Sequence, residues 1–191
     1  MRAKPITRRT VLSRRDALTA DARAAASEAI AERVDALLAT LPAGAIIALY
    51  ASKGSEVATD RMDASARGRG LRVVYPRIVD GARRLTFCEV AIETLVPGHF
   101  GLREPTSDTA AIELTSIAAF VVPGVAFDRS GGRVGWGRGY YDATLAAAAP
   151  GALRIGVAFD IQLMDQVPSD PHDAPLHHVV TENATHRGAA S

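Results

Sequence analysis

Four short apolar runs, set apart by stretches of helical periodicity, constrain this chain more than any other feature. They are "AIIALY" (45–50), "LRVVYP" (71–76), "IAAFVVPGVAF" (117–127) and "LRIGVAF" (153–159). Residues apolar at successive rather than alternate positions belong to strands covered on both faces. The helical patterns between them are equally clear. Thr19 can cap a helix over 19–41, in which Ile30, Val34, Leu37, Leu38 and Leu41 recur at helical spacing before "PAG". Residues 56–69 can form a second helix, and Tyr140 to Ala149 an alanine-rich third. Strands alternating with helices predict an α/β fold: a three-layer α/β/α sandwich with a mostly parallel central sheet. Pro76 is expected to stop the second strand. "RRLTFCEVAI" (83–92) alternates like a half-exposed strand, and "PGHFGLREPTSD" (97–108) has no periodicity and reads as a long loop. Neither a repeat nor an interdomain linker is visible. One domain is therefore expected over 1–191, with an N-terminal basic helix (1–41) packed on it and a frayed tail at 185–191.

The charge balance narrows the partners. Lys and Arg number 22 against 21 Asp and Glu, so the whole molecule is not built to bind nucleic acid. The first fifteen residues are the exception, with six basic groups and no acid. An Arg-rich, acid-free start is also a transit-peptide signal, but acids resume at Asp16 within the same helical pattern, which favours a cytoplasmic chain. No apolar stretch has transmembrane length, so no membrane partner is expected. Cys88, the single cysteine, excludes an internal disulfide and a thiolate metal cluster; in an alternating strand it reads as a small buried hydrophobe.

Function is concentrated in "GGRVGWGRGYYD" (131–142), which follows an apolar strand and opens a helix. In open α/β sheets ligands bind beyond the carboxyl ends of the strands, where this segment lies. Gly135, Gly137 and Gly139 let peptide N–H groups approach an anion without Cβ interference. The helix behind them adds its unpaired N–H groups and the positive end of its dipole. Arg133 and Arg138 supply charge-assisted hydrogen bonds, and Asp142 suits either the helix dipole or Mg²⁺ bridging to phosphate. The segment is neither a P-loop nor a dinucleotide fingerprint. By spacing alone a phosphate cradle and an unliganded surface loop stand about level.

The stretch "VVPGVAFDRSGGRVGWGRGYYD" resembles the signature of the 5-formyltetrahydrofolate cyclo-ligase (5,10-methenyltetrahydrofolate synthetase) family: strand, Pro-Gly, hydrophobic-Phe-Asp, a Gly-containing turn, Arg-hydrophobic-Gly, then Gly-Tyr-Tyr-Asp. The resemblance extends to Lys4 with Arg8, to "LYASKGSEVAT", to "GHFGLREP" and to "PSDPHDAPLHHVVTE". It implies the same three-layer fold and an ATP- and Mg²⁺-dependent enzyme acting on a reduced folate. The reaction it implies is phosphorylation of the formyl oxygen of 5-formyltetrahydrofolate, followed by ring closure by N10, with release of ADP and phosphate. A monomer or weak homodimer is expected.

The resemblance also implies roles. Lys4 and Arg8, one helical turn apart, would reach ATP phosphates. Arg133, Gly135, Trp136, Gly137, Arg138, Gly139, Tyr140 and Tyr141 would form the ATP loop, with Arg133, Arg138 and Tyr140 also serving catalysis. Many relatives carry lysine or glycine where Arg138 stands. Glu56 would take the folate head group, with Phe100, Glu104 and Tyr140 contributing to the folate site. Asp142 and Asp173 would hold Mg²⁺. Four residues beyond Asp173, relatives usually carry a second aspartate where this chain has His177. Read without the family, Lys4 and Arg8 are a solvated basic arm, Glu56 is a helix N-terminal acid, and His172, Asp173, His177 and His178 invite a transition-metal reading. A sugar-phosphate isomerase or CoA-transferase relative and a non-catalytic nucleotide- or RNA-binding module are the competing functions.

Overall fold

Five short parallel strands build the middle of the molecule, and the chain reverses its direction of travel across the sheet once. The structure is a computed structural model; it describes residues 3–190, so Met1, Arg2 and Ser191, the outermost residues of the expected basic segment and tail, lie outside the described residues. In chain order the elements are α1 (Ala3–Asp16), α2 (Ala20–Leu38), β1 (Ile46–Ala48), α3 (Asp60–Gly68), β2 (Arg72–Arg77), β3 (Thr86–Glu89), β4 (Val96–Pro97), β5 (Arg103–Glu104) and β6 (Ala111–Ile112). There follow β7 (Ile117–Val122), β8 (Ala126–Asp128), β9 (Arg133–Val134), α4 (Tyr140–Ala147), β10 (Leu153–Val157), β11 (Leu163–Met164), β12 (His178–Val180) and β13 (Thr185–Arg187). The main sheet has the order β13-β12-β10-β7-β1-β2-β3-β6. Strands β12, β10, β7, β1 and β2 run parallel, and β13, β3 and β6 add antiparallel edges.

The continuous apolar runs form these strands because both their faces are covered. Ile47, Val73, Val121 and Ile155 pack with Ile30, Val34 and Leu38 of α2 and Met62 of α3 on one face. Ile46, Val74, Phe120 and Val122 pack with Leu145 of α4 and with Phe127 on the other. Each Val or Ile placed fully inside contributes about 1.5–3 kcal/mol of transfer free energy. Cys88 is fully buried in β3. A third, smaller cluster seats α1: Val11 packs against Val125, Ala126, Val134 and Val167, around a separate three-stranded sheet of order β11-β8-β9. Among the described residues no helix is long and apolar enough to cross a membrane.

Several expectations are corrected. The basic segment is two helices, because Thr19 adopts extended backbone (φ −65°, ψ 157°) and its hydroxyl accepts from Ala22 N–H, starting α2 afresh. The run 117–127 breaks at Pro123 and Gly124 into β7 and β8, which join different sheets. Pro76 does not end β2 but lies within it, opposite Phe87 of β3, beyond the last residue that β1 pairs. The helix expected from Glu56 starts at Asp60, which leaves Glu56 in the preceding loop. The long loop is a small ribbon, with Val96 opposite Glu104 and Pro97 opposite Arg103. The tail is not frayed over 185–187, since β13 pairs with β12, and the N–H groups of Gly188 and Ala189 donate to His177 and Ser130 carbonyls. An edge strand held by backbone bonds leaves no apolar signature to read.

Candidate active site

The chain leaves β1 through α3 to β2 on one side and leaves β7 through α4 to β10 on the other, with α3 and α4 on opposite faces. The gap beyond the carboxyl ends of β1 and β7 is therefore a topological switch point, where such sheets bind ligands. A cavity of about 900 Å³ opens there, floored by Tyr50, Ala51 and Pro123.

All fifteen expected site residues line this one cavity: Lys4, Arg8, Glu56, Phe100, Glu104, Arg133, Gly135, Trp136, Gly137, Arg138, Gly139, Tyr140, Tyr141, Asp142 and Asp173. They arrive from five directions. Helix α1 brings Lys4 and Arg8 on one face, as their spacing requires. The loop after β1 brings Glu56, the ribbon brings Phe100 and Glu104, and the segment from β9 into α4 brings the glycine loop. The closing segment brings Asp173.

The glycine loop is anchored and open at once. Arg8 Nε donates to the Gly135 carbonyl at 2.7 Å. Gly137 has φ +92°, and a Cβ there would stand about 3 Å from the Arg8 guanidinium, so the position requires glycine. Gly139, at φ +72°, sits immediately before α4, and nothing lies within 4 Å of where its Cβ would be. That leaves the first-turn N–H groups of α4 approachable. Arg138 lies over the Phe100 ring, 3.7 Å from its centroid, and Phe100 itself holds a left-handed backbone (φ 55°). Such strain in a non-glycine residue gathers at binding sites.

The carboxylates are all engaged. Asp142 accepts from Arg133 Nη2 at 2.7 Å. The Lys4 ammonium donates to Asp173 at 2.6 Å and to Asp170 at 2.9 Å. Burial alone would lower the Lys4 pKa, but its two aspartate partners outweigh that and raise it. Glu56 takes the Lys53 backbone N–H on Oε2 (3.0 Å) and Trp136 Nε1–H on Oε1 (3.2 Å). Burial is the main influence on Glu56 and pushes its carboxyl up, against the opposing pull of these donors and of Arg15. Glu104 is buried; its Oε2 pairs with His99 Nδ1 at 3.1 Å while Oε1 has no partner. Tyr141 packs its ring 5.8 Å from the Arg133 guanidinium carbon, and its buried hydroxyl is also unpartnered.

The four-residue transition-metal grouping is not brought together. Among the described residues Asp170, His172 and Asp173 converge, with ligand atoms within 4.8 Å of one another. His177 turns away: its Nδ1 accepts from the Arg154 N–H at 3.0 Å, and it does not line the cavity. Sequence reading missed Arg15, Ser55, Lys53 and Asp170 in the cavity wall, and named His172, also there, only as a member of the transition-metal grouping. Arg15 is 3% exposed and donates through Nε to Ser55 Oγ at 2.9 Å. Only its last place in the acid-free run could have drawn notice.

Residues 1–182 match the model of the 5-formyltetrahydrofolate cyclo-ligase family. The chain is 36% identical over 143 residues to the 5-formyltetrahydrofolate cyclo-ligase of Mycolicibacterium smegmatis, covering 72% of this chain and 74% of that protein. In structure it resembles a 5,10-methenyltetrahydrofolate synthetase from Mycoplasma pneumoniae, with TM-score 0.77 and 25% identity over 94% of this chain and 98% of that one. It likewise resembles the Aquifex aeolicus 5,10-methenyltetrahydrofolate synthetase, with TM-score 0.76 and 28% identity over 96% and 92% of the two chains. The fold is the mixed α/β, mostly parallel architecture of these structures. The chain belongs to the 5-formyltetrahydrofolate cyclo-ligase family.

Proposed function

We propose that this family member converts 5-formyltetrahydrofolate to 5,10-methenyltetrahydrofolate, consuming ATP with Mg²⁺ and releasing ADP and phosphate. The observation that carries the reading is the meeting, in one cavity at the switch point, of a cationic glycine cradle and the partly buried Glu56 carboxylate on the loop after β1. One half suits a polyphosphate and the other the amide-like edge of a reduced pterin.

The residues fit the groups assigned to them. The open approach at Gly139 and the start of α4 suit phosphate oxygens. The carboxylates of Asp142 and Asp173, with Asp170 beside them, are the hard oxygen donors that Mg²⁺ prefers. When bound, Mg²⁺ neutralises and orients the phosphate oxygens. Lys4, Arg8 and Arg138 attract and align the triphosphate, and Arg133 holds Asp142 in place while adding positive potential beneath the loop. Glu56 receives the pterin edge, Phe100 and Tyr140 bound its face, and Glu104, on the ribbon itself, completes that wall.

The chemistry balances as a transfer and a closure. The formyl oxygen takes the terminal phosphoryl group as its bond to ADP breaks. The N10 lone pair then bonds to the formyl carbon, N10 gives up its proton, and the carbon–oxygen bond breaks to release phosphate. The chain's part is to hold the two substrates in line and to neutralise charge as it moves. The same reading has a small-molecule substrate, no nucleic-acid partner, and a monomeric or weakly dimeric cytoplasmic enzyme; the near balance of 22 basic and 21 acidic residues supports the second of these.

The test is near-ultraviolet absorbance of the conjugated methenyl product, with purified protein, 5-formyltetrahydrofolate and MgATP. Product growth only in the complete mixture is expected, with none when ATP or Mg²⁺ is withheld. A flat trace from folded protein refutes the proposal.

A further inference from the structure

The group assigned to the pterin is already occupied from across the cavity. Both Glu56 carboxylate oxygens are taken, Oε2 by Lys53 N–H and Oε1 by the Trp136 indole N–H. The first bond is local to the loop after β1. The second comes from the glycine loop, eighty positions along the chain. An amide-like ligand edge pairs with a carboxylate through two parallel hydrogen bonds. The indole N–H occupies one of the two lone-pair directions on Oε1, which leaves a ligand edge fewer acceptor sites on that oxygen.

Trp136 is held in a way that permits exchange. It is 54% exposed, so burial does not fix it. The guanidinium of Arg15 lies 5.7 Å from the ring centroid and is itself anchored, 3% exposed and bonded to Ser55. The indole thus rests on a fixed cationic platform and is tethered by one N–H bond. Gly137, directly after it, has the left-handed backbone that lets the loop turn there. A second tie, Arg138 over Phe100, joins the glycine loop to the ribbon.

We propose that Trp136 is a competing partner of Glu56: its indole N–H holds the carboxylate in the free enzyme, and the folate head group displaces it, which couples folate binding to the position of the glycine loop. This inference rests on the assignment of Glu56 to the folate head group. Its consequence is reciprocal: folate changes the affinity for nucleotide by the factor through which nucleotide changes the affinity for folate.

The experiment is calorimetric titration of 5-formyltetrahydrofolate into wild type, Trp136→Phe and Glu56→Ala, repeated for a non-hydrolysable ATP analogue with Mg²⁺, with and without saturating folate, so that no turnover occurs during the measurement. Trp136→Phe keeps an aromatic ring over Arg15 and removes only the donor. Losing a competing hydrogen bond to a charged acceptor should tighten folate binding about fivefold. The folate-dependent ratio of dissociation constants for the ATP analogue should move toward one in the same variant. An unchanged or weaker folate Kd in Trp136→Phe overturns the proposal, as does a wild-type coupling ratio. Glu56→Ala tests the underlying assignment separately. If it weakens folate binding while Trp136→Phe changes nothing, the competition alone fails. If Glu56→Ala binds folate as wild type does, the assignment itself fails.

Discussion

Replacing Asp142 separates what it does for the fold from what it does for the reaction. Arg133 Nη2 donates to Asp142 Oδ1 at 2.7 Å, with the two side chains 5% and 22% exposed. Arg133 Nε has no partner, so Asp142 carries nearly all the compensation for a buried guanidinium. Removing one member of a fully buried pair costs about 3–5 kcal/mol; the partial exposure of Asp142 lets water in and brings the expected loss for Asp142→Ala to about 2–3 kcal/mol. For a domain of this size that is a fall in Tm of roughly 5–10 °C. Asp142→Asn keeps an acceptor for Arg133, so it should lose only about 1 kcal/mol. Its turnover should nonetheless fall by about 100-fold or more, because the negative charge assigned to Mg²⁺ is gone. Thermal melts by circular dichroism and the methenyl absorbance assay read the two effects. Adding Arg133→Met to Asp142→Ala should restore part of the lost stability, since the uncompensated charge goes too. The reasoning is refuted by an Asp142→Ala protein melting within about 2 °C of the parent. Near-normal turnover in folded Asp142→Asn removes Asp142 from the metal site.

Three further expectations follow from the same geometry. The Asp35 carboxyl is lowered from 3.8 to about 2, first by its hydrogen bond from Arg69 and against the opposing effect of burial, with Ser65 assisting. A depressed folded value means stability present above about pH 4 and lost as pH falls toward 2, so Asp35→Asn should cost about 1 kcal/mol at neutral pH, a value discounted for solvent screening, and flatten the acid limb of the Tm profile. Glu56 is raised by burial, so folate affinity measured by calorimetry should decline, as pH is lowered, earlier than an ordinary carboxylate would allow; Glu56→Gln should bind weakly but with little pH dependence. His177→Asp should leave the KM for MgATP within about twofold, because His177 faces the Arg154 N–H rather than the cavity. A tenfold change in steady-state kinetics would contradict that placement.

The parallel core is legible in the apolar runs because double-sided burial leaves no polar alternation to confuse them. The glycine loop is legible because left-handed backbone and close approach both demand glycine. Arg15 is not, since it stands in a run of basic residues and its burial depends on Ser55, forty positions away. The helix boundary at Asp60 misled for a related reason: the acid at Glu56 fits a helix start locally, and only its bonds to Lys53 and Trp136 hold it in the loop. The strands β8, β9, β11 and β13 are two or three residues long, below the length at which alternation can be counted. Their register comes from partners distant in sequence. His177 looked like a gap in the metal site because the family pattern carries an aspartate there, and the pattern does not encode where a side chain points.

The seat of α1 sets the timetable of the whole molecule. Val11 lies in α1, yet the surface it packs on, from Val125 to Val167, is made more than a hundred residues later. Lys4 and Arg8 therefore cannot take up their wall of the cavity until most of the chain exists, and closure over so long a separation is slow. The last residues matter too, because the Ala189 N–H donates to the Ser130 carbonyl at the foot of the glycine loop. A chain still lacking the segment around Val167 can bury much of its sheet without the wall that α1 brings to the cavity, so the sheet can form before the cavity does.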